Sequence, residues 1–180
     1  KKKVESVLYC IDSNDYQPDK LYGVYDWIHF DQIAWYRKQS AHFASCNNGR
    51  PLPSLAFFHI PLLEYNELIG DGKTFGNDRE GGVASSKVNS GIFASFLDRK
   101  DVMGVFAGHD HDNDYVGINK RILLGYGRVT GADAYGELIR GARIIELYEG
   151  EFKFDTWIAT LSGREAIYYY PSGLNSDEER

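Results

Sequence analysis

The chain has 180 residues, 43% of them hydrophobic, with 3 Trp, 13 Tyr and 10 Phe, enough for one domain with a substantial core. Its formal charge of −6 argues against a general nucleic-acid binder, which needs a basic stripe. No apolar run reaches the roughly 18 residues that a membrane span requires.

Two cysteines, Cys10 and Cys46, supply neither a disulfide framework nor a CxxC metal motif. One bridge between them would fit, so the redox compartment stays open. The basic head Lys1-Lys2-Lys3 and the short apolar run behind it do not make a secretion leader. They read as the approach to a first strand. The sequence leaves localisation unknown, and secretion or periplasmic export would need a leader upstream.

That first strand is Ser6 to Ile11, ending in the turn-forming Asp12-Ser13-Asn14-Asp15. After a loop rich in Tyr and Gly, residues 31–43 carry apolar side chains near helical spacing. Asp31 is placed to cap this helix, and Gly49-Arg50-Pro51 to stop it. Leu55-Ala56-Phe57-Phe58-His59-Ile60 is a continuous apolar run, the pattern of a parallel strand covered on both faces. Pro61 breaks the ladder just beyond. Residues 69–82 have no period and read as a functional or mobile loop. Asn89-Ser90 caps a helix over 91–97, and Asp101 leads into the strand Val102 to Ala107.

Strand, helix and strand make a right-handed βαβ unit. His59 and His109 then fall at the carboxyl ends of two parallel strands, the edge where open α/β sheets place their sites. Further on, residues 115–118, 121–124, 143–147 and 152–158 read as antiparallel strands, with Glu149-Gly150 as a hairpin turn. Residues 172–180 read as a frayed tail.

The turn Gly108-His109-Asp110-His111 holds two of the five histidines in the chain, one residue apart. Imidazole is a common ligand for divalent metals, so the turn reads as a metal site. The candidate ligands are His59, His109 and His111. Asp110, Asp112 and Asp114 read as turn-formers or as acceptors that orient the imidazoles. Asn113 is a candidate substrate contact. Glu80 reads as an exposed loop charge, and His29 and His42 as structural or exposed. Trp27, Trp35 and Trp157 read as core. Tyr168-Tyr169-Tyr170 would pack an edge strand or meet a partner. A cupin site is excluded, because Tyr115 and Val116 stand where its Glu belongs and no His follows His111. A non-haem iron triad needs His-x-Asp/Glu, and neither His of the turn provides it.

Three segments carry a family resemblance: Phe57-Phe58-His59, Asn89-Ser90-Gly91-Ile92-Phe93, and Val105-Phe106-Ala107-Gly108-His109-Asp110-His111. Together they resemble a calcineurin-like metallophosphoesterase. Leu124-Gly125-Tyr126-Gly127 and Arg140-Gly141-Ala142-Arg143 are similar to its purple-acid-phosphatase-related branch. The resemblance implies an α/β sandwich of two mixed β-sheets flanked by helices. It also implies phosphate-ester hydrolysis by a metal-activated water at a two-metal site. His59 and His109 would hold one ion and His111 the other, with Fe, Mn or Zn as the metals.

The family's other ligands come from Asp-x-His, Gly-Asp-x-x-Asp and Gly-Asn-His-Asp/Glu, and none of these is present. Asp12-Ser13-Asn14, Gly70-Asp71-Gly72 and Asn47-Asn48-Gly49 each lack the required residue. The chain therefore resembles the C-terminal part of one domain, residues 1–160, without its N-terminal βαβ half. Residues 161–180 would form an extension or tail. The implied partners are a phosphorylated small molecule or protein and the missing N-terminal half. The chain alone would hold no ion or one, and would be inactive. The alternative is a non-catalytic binding or structural module.

Overall fold

The computed structural model describes residues 3–70, 72 and 74–173. Asp71 and residues 174–180 of the expected tail lie outside the described residues. In chain order come β1 (Val7–Cys10), α1 (Phe30–Cys46), β2 (Ser54–Phe57), β3 (Thr74–Phe75), α2 (Ile92–Arg99), β4 (Val102–Ala107), β5 (Val116–Asn119), β6 (Ile122–Tyr126), β7 (Gly141–Leu147), β8 (Phe154–Thr160) and β9 (Gly163–Tyr170). A six-stranded sheet has the order β1-β2-β4-β6-β5-β3, and a second sheet is β7-β8-β9.

The pairs β1/β2, β2/β4 and β4/β6 are parallel, while β6/β5 and β5/β3 are antiparallel. Side-chain alternation sorts the central strands between two neighbours. Val105 and Leu124 pack on one face with Tyr36, Phe93 and Phe96 of the helices. Leu55, Met103, Phe106 and Leu123 pack on the other with Phe154 and Tyr168 of the second sheet. Every side chain of β4 is consequently buried, as its unbroken apolar run required. The result is helices, mixed sheet and antiparallel sheet in three layers.

Helix α1 buries Ile33, Tyr36 and Ser40, a stripe at helical spacing. Its end-on anchor is polar. Tyr36 donates to one oxygen of buried Asp101 at 2.5 Å, and Tyr9 of β1 donates to the other at 3.0 Å.

Several expectations need correction. Helix α1 starts one residue before Asp31, with His29 as its cap, because Gln32 Oε1 takes the His29 N–H at 2.7 Å. Asp31 lies inside the first turn. At α2, Asn89 Oδ1 accepts the Gly91 N–H at 2.9 Å, and Gly91 itself is the left-handed cap. Strand β6 pairs antiparallel with β5, as its pattern suggested, but on its other side runs parallel to β4. The chain passes outward to β5, turns at Lys120 (φ 57°) and returns to fill the place beside β4. The second sheet is wholly antiparallel, not mixed, and the buried apolar side chains of both helices join the helix-side cluster.

Residues 161–180, read as an extension, contain β9. It pairs with β8 and sends Tyr168 and Tyr170 into the inter-sheet layer. None of the tryptophans is fully buried. Trp35 is 46% exposed on α1, Trp27 packs on Tyr22 and His29, and Trp157 lies under the Arg164 guanidinium at 4.4 Å. Each ring covers a surface with one face and meets water or a polar group with the other. Cys10 and Cys46 are both exposed and free.

Gly141 opens β7, where a Cβ would stand 2.4 Å from the Ala159 carbonyl oxygen of the paired strand. Backbone of a paired strand has little room to yield. Gly141→Ala should therefore cost about 1–3 kcal/mol. A urea titration should show a lower midpoint at unchanged slope; an unmoved midpoint would mean that the strands part freely here.

Candidate metal centre

The chain just beyond β2, β4 and β6 is pinned together at the sheet's edge. Gly108 N–H donates to the His59 carbonyl at 3.0 Å, and Gly127 N–H to the Ala107 carbonyl at 2.7 Å. Ser13, after β1, turns its hydroxyl oxygen to the N–H groups of His59 (3.2 Å) and Ile60 (2.9 Å). His59, His109 and His111 all line one cleft of about 250 Å³ at this edge, with Gly127, Arg128, Thr130 and Ala134 across it.

His59 Nε2 and His109 Nδ1 are 3.1 Å apart, with the rings at 86°. His109 has φ 76°, a left-handed backbone that is uncommon for a residue with a side chain and concentrates at functional sites. The Tyr25 ring stands edge-on to His109 at 4.6 Å between centroids. Burial first, then the neighbouring His59, holds the His109 imidazole below its ordinary pKa. A neutral ring keeps a lone pair available for an ion.

His111 is held differently. Its Nδ1–H donates to the Tyr135 carbonyl at 3.2 Å, and its ring stacks on the Tyr135 ring at 3.9 Å and 15°.

The aspartates of the turn have other work. Asp110 is buried, accepting from Tyr126 Oη at 2.6 Å and Ala84 N–H at 3.2 Å. Burial raises its pKa, and these two donors oppose the shift. Asp112 Oδ1 accepts the N–H groups of Glu137 (2.6 Å) and Leu138 (3.0 Å), and these bonds, Leu138 first, lower its pKa. Asp114 pairs with Arg128 in the interior. Asn113 is 0% exposed, and its Oδ1 takes the N–H groups of Arg79 (3.0 Å) and Glu80 (3.2 Å). The structure therefore places Asn113 under the 79–82 loop and away from the cleft. Glu80 is exposed and accepts the Asp112 N–H at 3.2 Å. His29 and His42 stand apart on the surface.

The donor set fits part of a metal centre. Two imidazole nitrogens 3.1 Å apart have the spacing of neighbouring ligands on one ion with bonds of about 2.0–2.1 Å. His111, with Nδ1 committed to a carbonyl, presents Nε2 as its acceptor. Among the described residues, no group of three His, Cys, Asp or Glu side chains converges closely enough to hold an ion.

No family model matches the chain. Curated relatives do. "Probable inactive purple acid phosphatase 29" of Arabidopsis thaliana is 37% identical over 163 residues, covering 86% of this chain and 42% of the relative. "Probable inactive purple acid phosphatase 28" of the same plant is 38% identical over 152 residues, covering 83% of this chain and 38% of the relative. "Phosphatase DCR2" of Saccharomyces cerevisiae is 34% identical over 186 residues, covering 94% of this chain and 31% of the relative. The chain is a homologue of purple acid phosphatase-like metallophosphoesterases. It spans about a third to two-fifths of the length of these relatives.

For a metallophosphoesterase homologue, three residues around the cleft stand out that sequence reasoning missed: Tyr25, Arg128 and Tyr135. Tyr135 follows His111 by 24 positions and acts partly through its backbone carbonyl, so no spacing rule marks it. Tyr25 reaches His109 from a loop without period. Arg128 had a weak signal, as a cation directly after the glycine that follows β6.

Proposed function

We propose that this chain contributes the histidine side of a two-metal phosphoester-hydrolase site, in a protein that acts on phosphorylated small molecules or proteins. The approach of His59 to His109 at the sheet's carboxyl edge, with His111 in the same cleft, carries this reading. His59 and His109 would hold one ion and His111 the second. Iron, manganese and zinc all suit imidazole beside carboxylate. Such a pair of ions supplies an activated water and a clamp for the phosphate. What this chain adds is orientation: a backbone carbonyl sets one imidazole, and a half-buried turn with a left-handed backbone at His109 sets another.

The remaining ligands would come from a preceding segment, which we propose docks on this chain. Two features support that partner. Strand β7 is an edge of its sheet, the position at which a further strand can pair. Leu8 of edge strand β1 is 56% exposed, and an apolar groove of about 470 Å³ between the sheets is lined by Phe57, Phe106, Ala142 and Ile145.

A second reading is favoured by one observation, that no three potential ligands converge among the described residues. On that reading the chain is a binding or structural module with at most one ion.

Metal analysis and turnover separate the two. The isolated chain is expected to hold no more than one zinc or manganese ion, lost in His109→Ala, and to leave an aryl phosphate intact. The longer protein, with the carboxylate-bearing segment restored, is expected to hold two ions and hydrolyse the same ester. A longer protein that holds at most one ion and shows no turnover would overturn the two-metal reading in favour of the second.

A further inference from the structure

We infer that Tyr135 is a positioning residue for His111, fixing both its ring plane and the nitrogen that carries its proton. The inference rests on the metal-site reading for its purpose, though its geometry stands alone. Four contacts converge on the turn from this one residue. The Tyr135 carbonyl accepts from His111 Nδ1 at 3.2 Å. Its ring stacks on the imidazole at 3.9 Å. Its hydroxyl donates to the His109 carbonyl at 3.0 Å and accepts the His111 N–H at 3.2 Å. Tyr135 is itself 56% exposed, so it adds little to the core; its contacts are spent on the histidine turn.

The segment that carries Tyr135 is braced to hold that position. Asp112, from the turn, binds the N–H groups of Glu137 and Leu138. Arg140 reaches back to the carbonyls of Gly131, Ala134, Gly136 and Leu138. Gly136 (φ 101°) sits so close to Asp112 that a Cβ would stand 2.6 Å from its Oδ1. Turn and loop therefore grip each other in both directions. One hands over a carboxylate; the other hands over a carbonyl, a hydroxyl and a ring face.

The chemical consequence follows from the imidazole's two nitrogens. A carbonyl can only accept, so Nδ1 must keep its hydrogen. Nε2 is then the ring's one lone pair, which is the form that binds a cation. A hydrogen-bond partner that sets the tautomer and ring orientation of a ligating histidine is worth about 10–100-fold in metal affinity.

Long-range nitrogen–proton NMR of the chain, at a pH where its imidazoles are neutral, tests this directly. Wild-type His111 is expected to show a protonated Nδ1 and a bare Nε2. Tyr135→Ala keeps the backbone carbonyl but removes the ring and hydroxyl that hold it against the turn. It is expected to give a mixture of tautomers and, in the longer protein with the remaining ligands, about 10-fold weaker binding of the second zinc ion. Tyr135→Phe keeps the stack and the carbonyl, so it should retain the wild-type tautomer and recover most of the affinity. It also guards against loss of fold in the alanine variant. A wild-type His111 protonated on Nε2 would overturn the inference, as would an alanine variant with the wild-type tautomer and affinity. A pinned tautomer in a longer protein that takes up no second zinc ion would uphold the clamp and count only against the metal reading.

Discussion

Arg128→Met should lower the stability of the chain by about 3–5 kcal/mol, among the largest effects expected of one side chain. Arg128 and Asp114 are 1% and 0% exposed in their side chains. Arg128 Nε donates to Asp114 Oδ2 at 2.8 Å, Nη1 to the Ile139 carbonyl at 2.6 Å, and Nη2 to Glu165 Oε2 at 3.2 Å. One guanidinium thus joins the turn before β5, the loop that carries Tyr135, and strand β9 of the second sheet. Methionine fills similar space but leaves a carboxylate in the interior, with Asn77 as its remaining side-chain donor. The cost is that of the stranded charge. The double variant Arg128→Met, Asp114→Leu should accordingly recover part of the loss. Denaturant titration checks both, with a melting-point drop of roughly 6–20 °C for the single variant. A drop below about 2 °C would show that water reaches Asp114.

The second large effect is alkaline. Tyr9, Tyr36, Tyr65, Tyr115 and Tyr126 are all buried, and burial is the first cause that lifts each phenol above its ordinary pKa. For the three that donate to a carboxylate, Tyr9 and Tyr36 to Asp101 and Tyr126 to Asp110, that charge pushes further the same way. The folded chain keeps these protons, whereas the unfolded chain releases them near pH 10. Their contribution is complete below about pH 10 and is lost as pH rises beyond it, because the unfolded state then binds fewer protons. Each phenol adds about 1.4 kcal/mol per pH unit to that slope, and the five together about 7. Phenolate absorbance and circular dichroism should therefore change in one cooperative step above about pH 10. Gradual ionisation with the fold intact would show that the cluster opens locally.

The fold was legible where one pattern decides the matter. The unbroken apolar run of β4, ended by Gly108, could only be a covered strand, and the same logic found β2. Strand order was not legible, because β6 takes its place beside β4 by a hairpin whose residues read equally well as a simple antiparallel pair. Strand β9 was missed because Gly163-Arg164-Glu165-Ala166 shows no alternation, and only its Tyr-rich end packs inward.

At the site, His59 and His109 could be placed together from two strand ends. The environment of each side chain could not. Asn113 carries no mark of its burial, and the aspartates of the turn look alike in sequence. In space one caps a loop, one takes a tyrosine proton donor and one neutralises an arginine. Tyr135 lay beyond reach because its link to His111 runs through a backbone oxygen, which every residue has.

The pairing of Arg128 has a consequence for the order in which ligands arrive. Among the described residues that line the cleft, Arg128 is the one permanent cation, and Asp114 has already cancelled it. The chain as a whole carries six excess negative charges. That net charge opposes the approach of a dianion, most strongly at low ionic strength, where the repulsion reaches tens of ångströms. On the proposed metal-site reading, capture of a phosphate here would wait until positive charge has been brought to the imidazoles. Binding at the cleft would then be sequential by electrostatics alone, cation before anion, with no moving part required to enforce it.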